Sequence, residues 1–197
     1  MHFFLFLLAT YPADEYRVAK ELQAQGFDVG NTKHHDDMIW LRPAFIWGND
    51  QSITSDGSRF ICQLPRLCQL LFLRCDASGL NLDEIGNCQR LHYFEFKDGT
   101  RFPVSELKKL TACPIVSMLV ESKDVDLKDS DLEEFSKFTH LGRLILDFNN
   151  VGVTDSCLEY FEKIPTLKQL RLPGSSITPE GAEEFKKKRP DVLVDFE

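Results

Sequence analysis

The chain has 197 residues, 43% hydrophobic and 27% charged, a balance that fits a folded globular protein and excludes a disordered one. A surplus of acids gives a net charge of −8, so nucleic acid is not the expected partner and a basic protein is the electrostatically matched one. The only basic run is Lys186-Lys187-Lys188-Arg189.

In chain order, His2–Leu8 is a short apolar run with no preceding Lys or Arg and no small-x-small cleavage pattern after it. It reads as a buried strand and falls well short of the ~20 residues that cross a bilayer. Pro12-Ala13-Asp14-Glu15 opens a helix whose apolar stripe is Tyr16, Val18, Ala19 and Leu22, and Gly26 ends it. Phe27–Val29 and Met38–Leu41 read as strands, so residues 1–43 make a βαββ unit. This segment resembles the strand–helix–GF-x-V opening of the ribonuclease E inhibitor B family, a resemblance that carries over no functional residue. Within it, His34-His35-Asp36-Asp37 is the one concentrated set of metal-ligand or acid–base groups. Adjacent residues on a loop point in divergent directions and no distant third ligand accompanies them, so the cluster reads as a solvated turn between two strands.

From residue 67 onward one pattern recurs. Leu67-x-x-Leu70-x-Phe72-x-x-Cys75 and Leu141-x-x-Leu144-x-Leu146-x-x-Asn149 share a template with Leu91/Phe94/Phe96, Ile115/Met118/Val120 and Leu167/Leu170/Leu172. The starts at 67, 91, 115, 141 and 167 are separated by 24, 24, 26 and 26 residues. A second half also recurs, as in Val153-Thr154-Asp155 before Leu158 and Phe161, and Ile177-Thr178-Pro179 before Phe185. Ile53-Thr54-Ser55-Asp56-Gly57 marks a degenerate unit ahead of Leu67, and Val192–Phe196 reads as a final strand. Alternating apolar residues specify a strand buried on one side, and Thr supplies the N-cap of the helix that follows. One such unit cannot bury its apolar side alone, so successive units must stack. The sixteen Phe fit a core that repeats bulky positions.

These motifs resemble the leucine-rich repeat family, and within it the cysteine-containing, ribonuclease-inhibitor-like type. The resemblance covers about 44–197 and is clearest in 141–197. It implies an α/β right-handed solenoid of about six strand–helix repeats, with strands on the concave side and helices outside. The βαββ unit (residues 1–43) would be its N-terminal cap. It also implies that the residue after each strand bonds the backbone where the chain turns out. That column reads Cys75, Gly99, Lys123, Asn149 and Ser175, so irregularity is expected in the middle repeats.

The six cysteines show no CxxC spacing and read as buried thiols in a reducing, cytoplasmic setting. Cys88 and Cys113 close successive repeats and look like core. The acidic runs Asp124–Asp131, Glu133-Glu134 and Asp155–Glu162 read as solvated helix faces. With the Leu70/Phe72-type pairs turned inward, the central outward column is Leu71, Glu95, Leu119, Ile145 and Arg171, flanked by Leu73, Glu121 and Asp147. Leu71, Leu119 and Ile145 are apolar where a solvated sheet prefers polar residues, and Phe45 and Trp47 would extend the patch. The expected function is therefore non-enzymatic binding of a protein by a monomer through the concave face. No cofactor or metal is implied, and no nucleic acid or membrane. The alternatives are an acidic inhibitor of a basic toxin or nuclease, and a metal-dependent enzyme using His34, His35, Asp36 and Asp37.

Overall fold

The computed structural model describes residues 13–24, 27–32, 35–43, 51–52, 61, 63–64, 67–76, 79–97 and 104–196. Strands β1 (Phe27–Thr32), β2 (His35–Pro43), β4 (Leu67–Leu73), β6 (Tyr93–Lys97), β7 (Ser117–Lys128), β8 (Arg143–Gly152), β9 (Gln169–Arg171) and β10 (Leu193–Asp195) form one sheet in that spatial order. The remaining strands, β3 (Gln51–Ser52) and β5 (Cys75–Asp76), pair in a small parallel ladder. The β1–β2 pair is antiparallel and every later pair in the large sheet is parallel. The fold is α/β, a parallel sheet whose strands return at repeat intervals with helical segments between them, and it fits a solenoid.

The repeat arithmetic becomes a hydrogen-bond ladder. The His92 amide donates to Cys68 O at 2.9 Å, Val116 N to His92 O at 2.8 Å, Gly142 N to Val116 O at 2.9 Å, Lys168 N to Gly142 O at 2.7 Å and Leu193 N to Lys168 O at 2.8 Å. Each donor sits one repeat after its acceptor. Leu70, Phe72, Phe94, Phe96, Met118, Val120, Leu144, Leu146, Leu170 and Leu172 are all fully buried on the helix side. Rings stack along this core: Phe72 meets Phe94 and Phe96 edge-on, each at 6.3 Å, and under the helices Phe135 packs on Phe138 at 5.6 Å and Phe161 at 6.5 Å. Geometries of this kind add to the burial of large apolar area.

The returning segments are short. Leu82–Ile85, Asp129–Leu132 and Leu158–Glu162 are single α turns, while Val104–Ala112 and Glu133–Lys137 are 3₁₀ helices. Among the described segments between parallel strands, Pro179–Lys188 is the longest regular α-helix, at ten residues. Among the described residues no helix is long and apolar enough to cross a membrane.

At the N-terminal end, helix α1 (Ala13–Ala24) contributes Val18 and Leu22 to the common core. The expected run Met38–Leu41 lies inside β2, and β2 pairs directly with β4, Ile39 opposite Leu67. Residues 44–50, with Phe45 and Trp47, and the strand expected over His2–Leu8 lie outside the described residues. One correction concerns the proposed turn 34–37. His34 lies outside the described residues, and His35, Asp36 and Asp37 begin β2.

Candidate functional site

The sheet has one face on the core and one turned away from it. Parallel register arranges the outward positions of this open face into rows that cross the strands. The first row is Gln69, Tyr93, Ser117, Arg143, Gln169 and Leu193. The middle row is Leu71, Glu95, Leu119, Ile145, Arg171 and Asp195. The third contains the cross-strand pairs Leu73–Lys97 and Glu121–Asp147. Leu71, Glu95, Leu119, Ile145 and Arg171 therefore share one row, and Leu73, Glu121 and Asp147 occupy the next.

Their accessibility differs from the expectation. Leu119 and Ile145 retain only 6% exposure each, although neither joins the helix-side core. The cause is local: Ile145 has Arg143 and Asp147 two residues away on the same face, with Leu119 and Arg171 beside it on neighbouring strands. Stems of long polar side chains cover apolar surface while their heads stay wet. The middle row thus sets three apolar positions, Leu71, Leu119 and Ile145, among three charged ones, Glu95, Arg171 and Asp195.

The charges of this face are organised. Glu95 and Lys97 form an ion pair at 2.9 Å, and Arg171 pairs with Asp195 at 2.8 Å. Arg143 is held from both sides, its Nε donating to Gln169 Oε1 at 3.1 Å and its Nη1 to Ser117 Oγ at 3.4 Å. Tyr93 is 42% exposed and Leu193 76%. The sequence reading missed Tyr93, Arg143 and Leu193. They lie two residues before the central column, and stepping back by the strand period of two would have found them.

On the helix side, much of the acidity has structural work. Asp129 accepts from the Thr154 amide at 2.8 Å and the Thr154 hydroxyl at 2.6 Å, one repeat on. Asp155 repeats the arrangement with Thr178, both at 2.7 Å. Each Thr hydroxyl in turn caps its own helix, accepting from Ser156 N at 3.3 Å and Gly181 N at 3.0 Å. These two acids are thus not simply solvated charge, as the sequence suggested. The basic run is structural too: Lys188 pairs with Glu162 and Glu184, and Lys186 with Glu183. Arg189 donates to Ile164 O at 2.8 Å and Leu167 O at 2.9 Å.

The turn-column expectation is shifted by one residue. Asn149 is exposed and donates to Asp126 Oδ1 at 2.6 Å. Asn150 is the buried one, its Nδ2 donating to Leu146 O at 2.9 Å and Pro173 O at 2.8 Å. Register shifts between Ser122 and Lys128 mark the expected irregularity of the middle repeats.

Cys68, Cys88, Cys113 and Cys157 are buried free thiols. Burial pushes Cys113 from 9.0 to about 12, and its thiol donates to Ile85 O and Gly86 O at 3.4 Å. Burial raises Cys157 likewise to about 12, with Asp129 nearby adding to the effect. Neither is activated as a nucleophile. Among the described residues no three His, Cys, Asp or Glu side chains gather to hold a metal ion.

No protein-family model matches the chain, and no curated protein matches it. Solved structures similar to it include a leucine-rich-repeat protein of Leptospira interrogans, at 20% identity and a TM-score of 0.44 over 70% of this chain. They also include the plant peptide hormone receptor RGFR1 in complex with RGF2, at 12% identity and a TM-score of 0.44 over 84% of this chain. The chain spans 39% of the first protein's length and 24% of the second's.

Proposed function

We propose that the chain is a leucine-rich-repeat protein of the cysteine-containing type, and that it is a non-enzymatic module that recognises another protein through the open, concave face of its sheet. The observation that carries this reading is the row structure of that face. Apolar positions at Leu71, Leu119 and Ile145 are set among ordered charged and polar ones, and the rows run over five parallel strands, β4, β6, β7, β8 and β9. Such a surface is extended and rigid, suited to a partner's surface more than to a small molecule.

In this reading residues 1–43 cap the solenoid of 44–197, about six repeats in all. The antiparallel β1–β2 pair and the docking of Val18 and Leu22 into the common core support the capping role. The protein acts as a monomer, and its acidity favours a basic partner. The four buried free thiols favour a reducing compartment, the cytoplasm.

Charge reversal tests the face. Glu121→Lys with Asp147→Lys alters the sheet side, and Glu180→Lys with Glu183→Lys alters the helix side. In co-precipitation from the source cells, the sheet-side variant loses the partner and the helix-side variant keeps it. The opposite pattern would place binding on the helices and end this proposal.

A further inference from the structure

The first row of the open face holds one cation between two exposed apolar side chains. Among the described residues the exposed large hydrophobics are Tyr93, Val151 and Leu193, and two of them, Tyr93 and Leu193, lie in this row. Tyr93 is on β6, Arg143 on β8 and Leu193 on β10, so each apolar residue stands two strands away from Arg143, on opposite sides. At ~4.8 Å between neighbouring strands, that is about 10 Å in either direction.

Arg143 is half-buried and tied to both neighbouring strands, to Gln169 Oε1 on β9 and Ser117 Oγ on β7, and both acceptors are neutral. The other guanidinium of this face, Arg171, pairs with Asp195, and Lys97 pairs with Glu95. Arg143 therefore has no carboxylate partner among the described residues, in a chain whose net charge is −8. A guanidinium offers five N–H donors in one plane. Two neutral acceptors fix that plane and leave the other donors aimed in set directions, the condition for taking a carboxylate.

We propose that this row binds an extended polypeptide segment running across the strands, with an acidic side chain on Arg143 and apolar side chains against Tyr93 and Leu193. The inference rests on the open-face reading above and names what the partner presents to that face. Charge complementarity commits the occupant, because the unpaired charge at the centre of the row is positive and its flanks are apolar. An extended chain with three residues per turn and a rise of ~3.1 Å per residue returns a side chain to the same side about every 9 Å. That interval matches the spacing of the row. The recognised pattern is therefore an Asp or Glu with an apolar residue three places before it and another three places after. The acidity of the whole chain acts at long range and favours a basic partner, whereas this contact is decided at close range.

The test uses the full chain and a displayed library of random linear peptides, selected in parallel on wild type, Arg143→Gln, and Tyr93→Ala with Leu193→Ala. Unchanged thermal unfolding confirms that each variant is folded. Wild type enriches the apolar–acid–apolar pattern at three-residue spacing. On Arg143→Gln the acidic preference falls to library background while the apolar flanks persist, and on the double variant the flanks fade while the acid persists. A synthetic copy of a wild-type-selected peptide binds Arg143→Gln about tenfold or more weaker, and Arg143→Lys recovers part of that loss. A photoreactive group on the same peptide locates it by cross-linking, expected on β6 to β10. If the peptide cross-links to those strands yet the acidic preference is the same on wild type and Arg143→Gln, the inference is wrong and the open-face reading stands. If it cross-links to the helices, both are wrong. If no peptide is enriched, the inference is wrong, and the sheet-side charge reversal decides the open-face reading by itself.

Discussion

The guanidinium of Arg189 closes the helix side of the last two repeats. It gathers the carbonyls of Phe161, Glu162, Ile164 and Leu167 from the preceding helix and turn, and its Nε reaches Asp191 at 3.1 Å. A guanidinium offers five N–H donors in a fixed plane, enough for all of these acceptors, where an ammonium offers three. Arg189→Ala leaves these carbonyls without a charged donor and is expected to cost about 1.5–3 kcal/mol, read from the denaturant midpoint, with Arg189→Lys restoring under half. Arg189 first, and Lys168 second, hold the Asp191 carboxyl well below its ordinary 3.8. The stabilising contribution of that carboxylate is therefore present above pH 3.8 and fades only as pH falls toward the lower folded value. Gly86 illustrates the opposite constraint, absence of a side chain. A Cβ there would collide with the Lys109 carbonyl on the neighbouring 3₁₀ helix, so Gly86→Ala is expected to destabilise by roughly 1–3 kcal/mol.

At the scale of elements, the Asp–Thr relay joins one repeat to the next. Asp129 holds Thr154 and Asp155 holds Thr178, and each Thr caps the helix that follows. At Thr178 the next residue is Pro179, so the relay stops where the last helix begins. Thr154→Ala is expected to cost about 1 kcal/mol as a lost N-cap. Because Asp129 acts through Thr154, a double-mutant cycle on the pair should show coupling of at least ~0.5 kcal/mol, whereas Asp126 with Thr154 should show none. The Thr caps were legible in the sequence from the recurring Val/Ile-Thr spacing. The Asp acceptors were not, because a contact across 23 to 25 residues depends on how repeats stack and not on local pattern. The same limit explains the shift from Asn149 to Asn150. The inward alternation of β8 runs on past Leu146 through Phe148 to Asn150, which a column fixed three residues after Leu146 does not register.

For the molecule as a whole, the strand period and the 24–26-residue repeat picked out the paired inward residues from Leu70/Phe72 to Leu170/Leu172, while the buried Ser122, Phe148 and Asn150 further along β7 and β8 were missed. The outward face was legible in position but not in exposure. Leu119 and Ile145 looked solvent-facing in a period-two reading, yet they are only 6% exposed, because accessibility depends on the neighbours that share the face, on the same strand and on adjacent ones. The buried thiols give the whole fold an alkaline weakness. Cys113 and Cys157 titrate at about 12 when folded against 9.0 otherwise, so only the unfolded chain ionises between these values. Stability is then whole below pH 9.0 and declines as pH rises toward 12. Melting temperature measured across that window should fall more steeply for wild type than for Cys113→Ala with Cys157→Ala. Equal slopes would show that other groups govern the decline.

The central claim, that a protein partner docks on the open face of the sheet, is tested most directly by site-resolved photocrosslinking in the source cells. A photoreactive residue placed at Tyr93 or Glu121 should form a covalent adduct with a partner protein, while the same residue at Glu180 or Glu183 on the helix side should form none. An adduct from the helix positions with none from the sheet positions would contradict it.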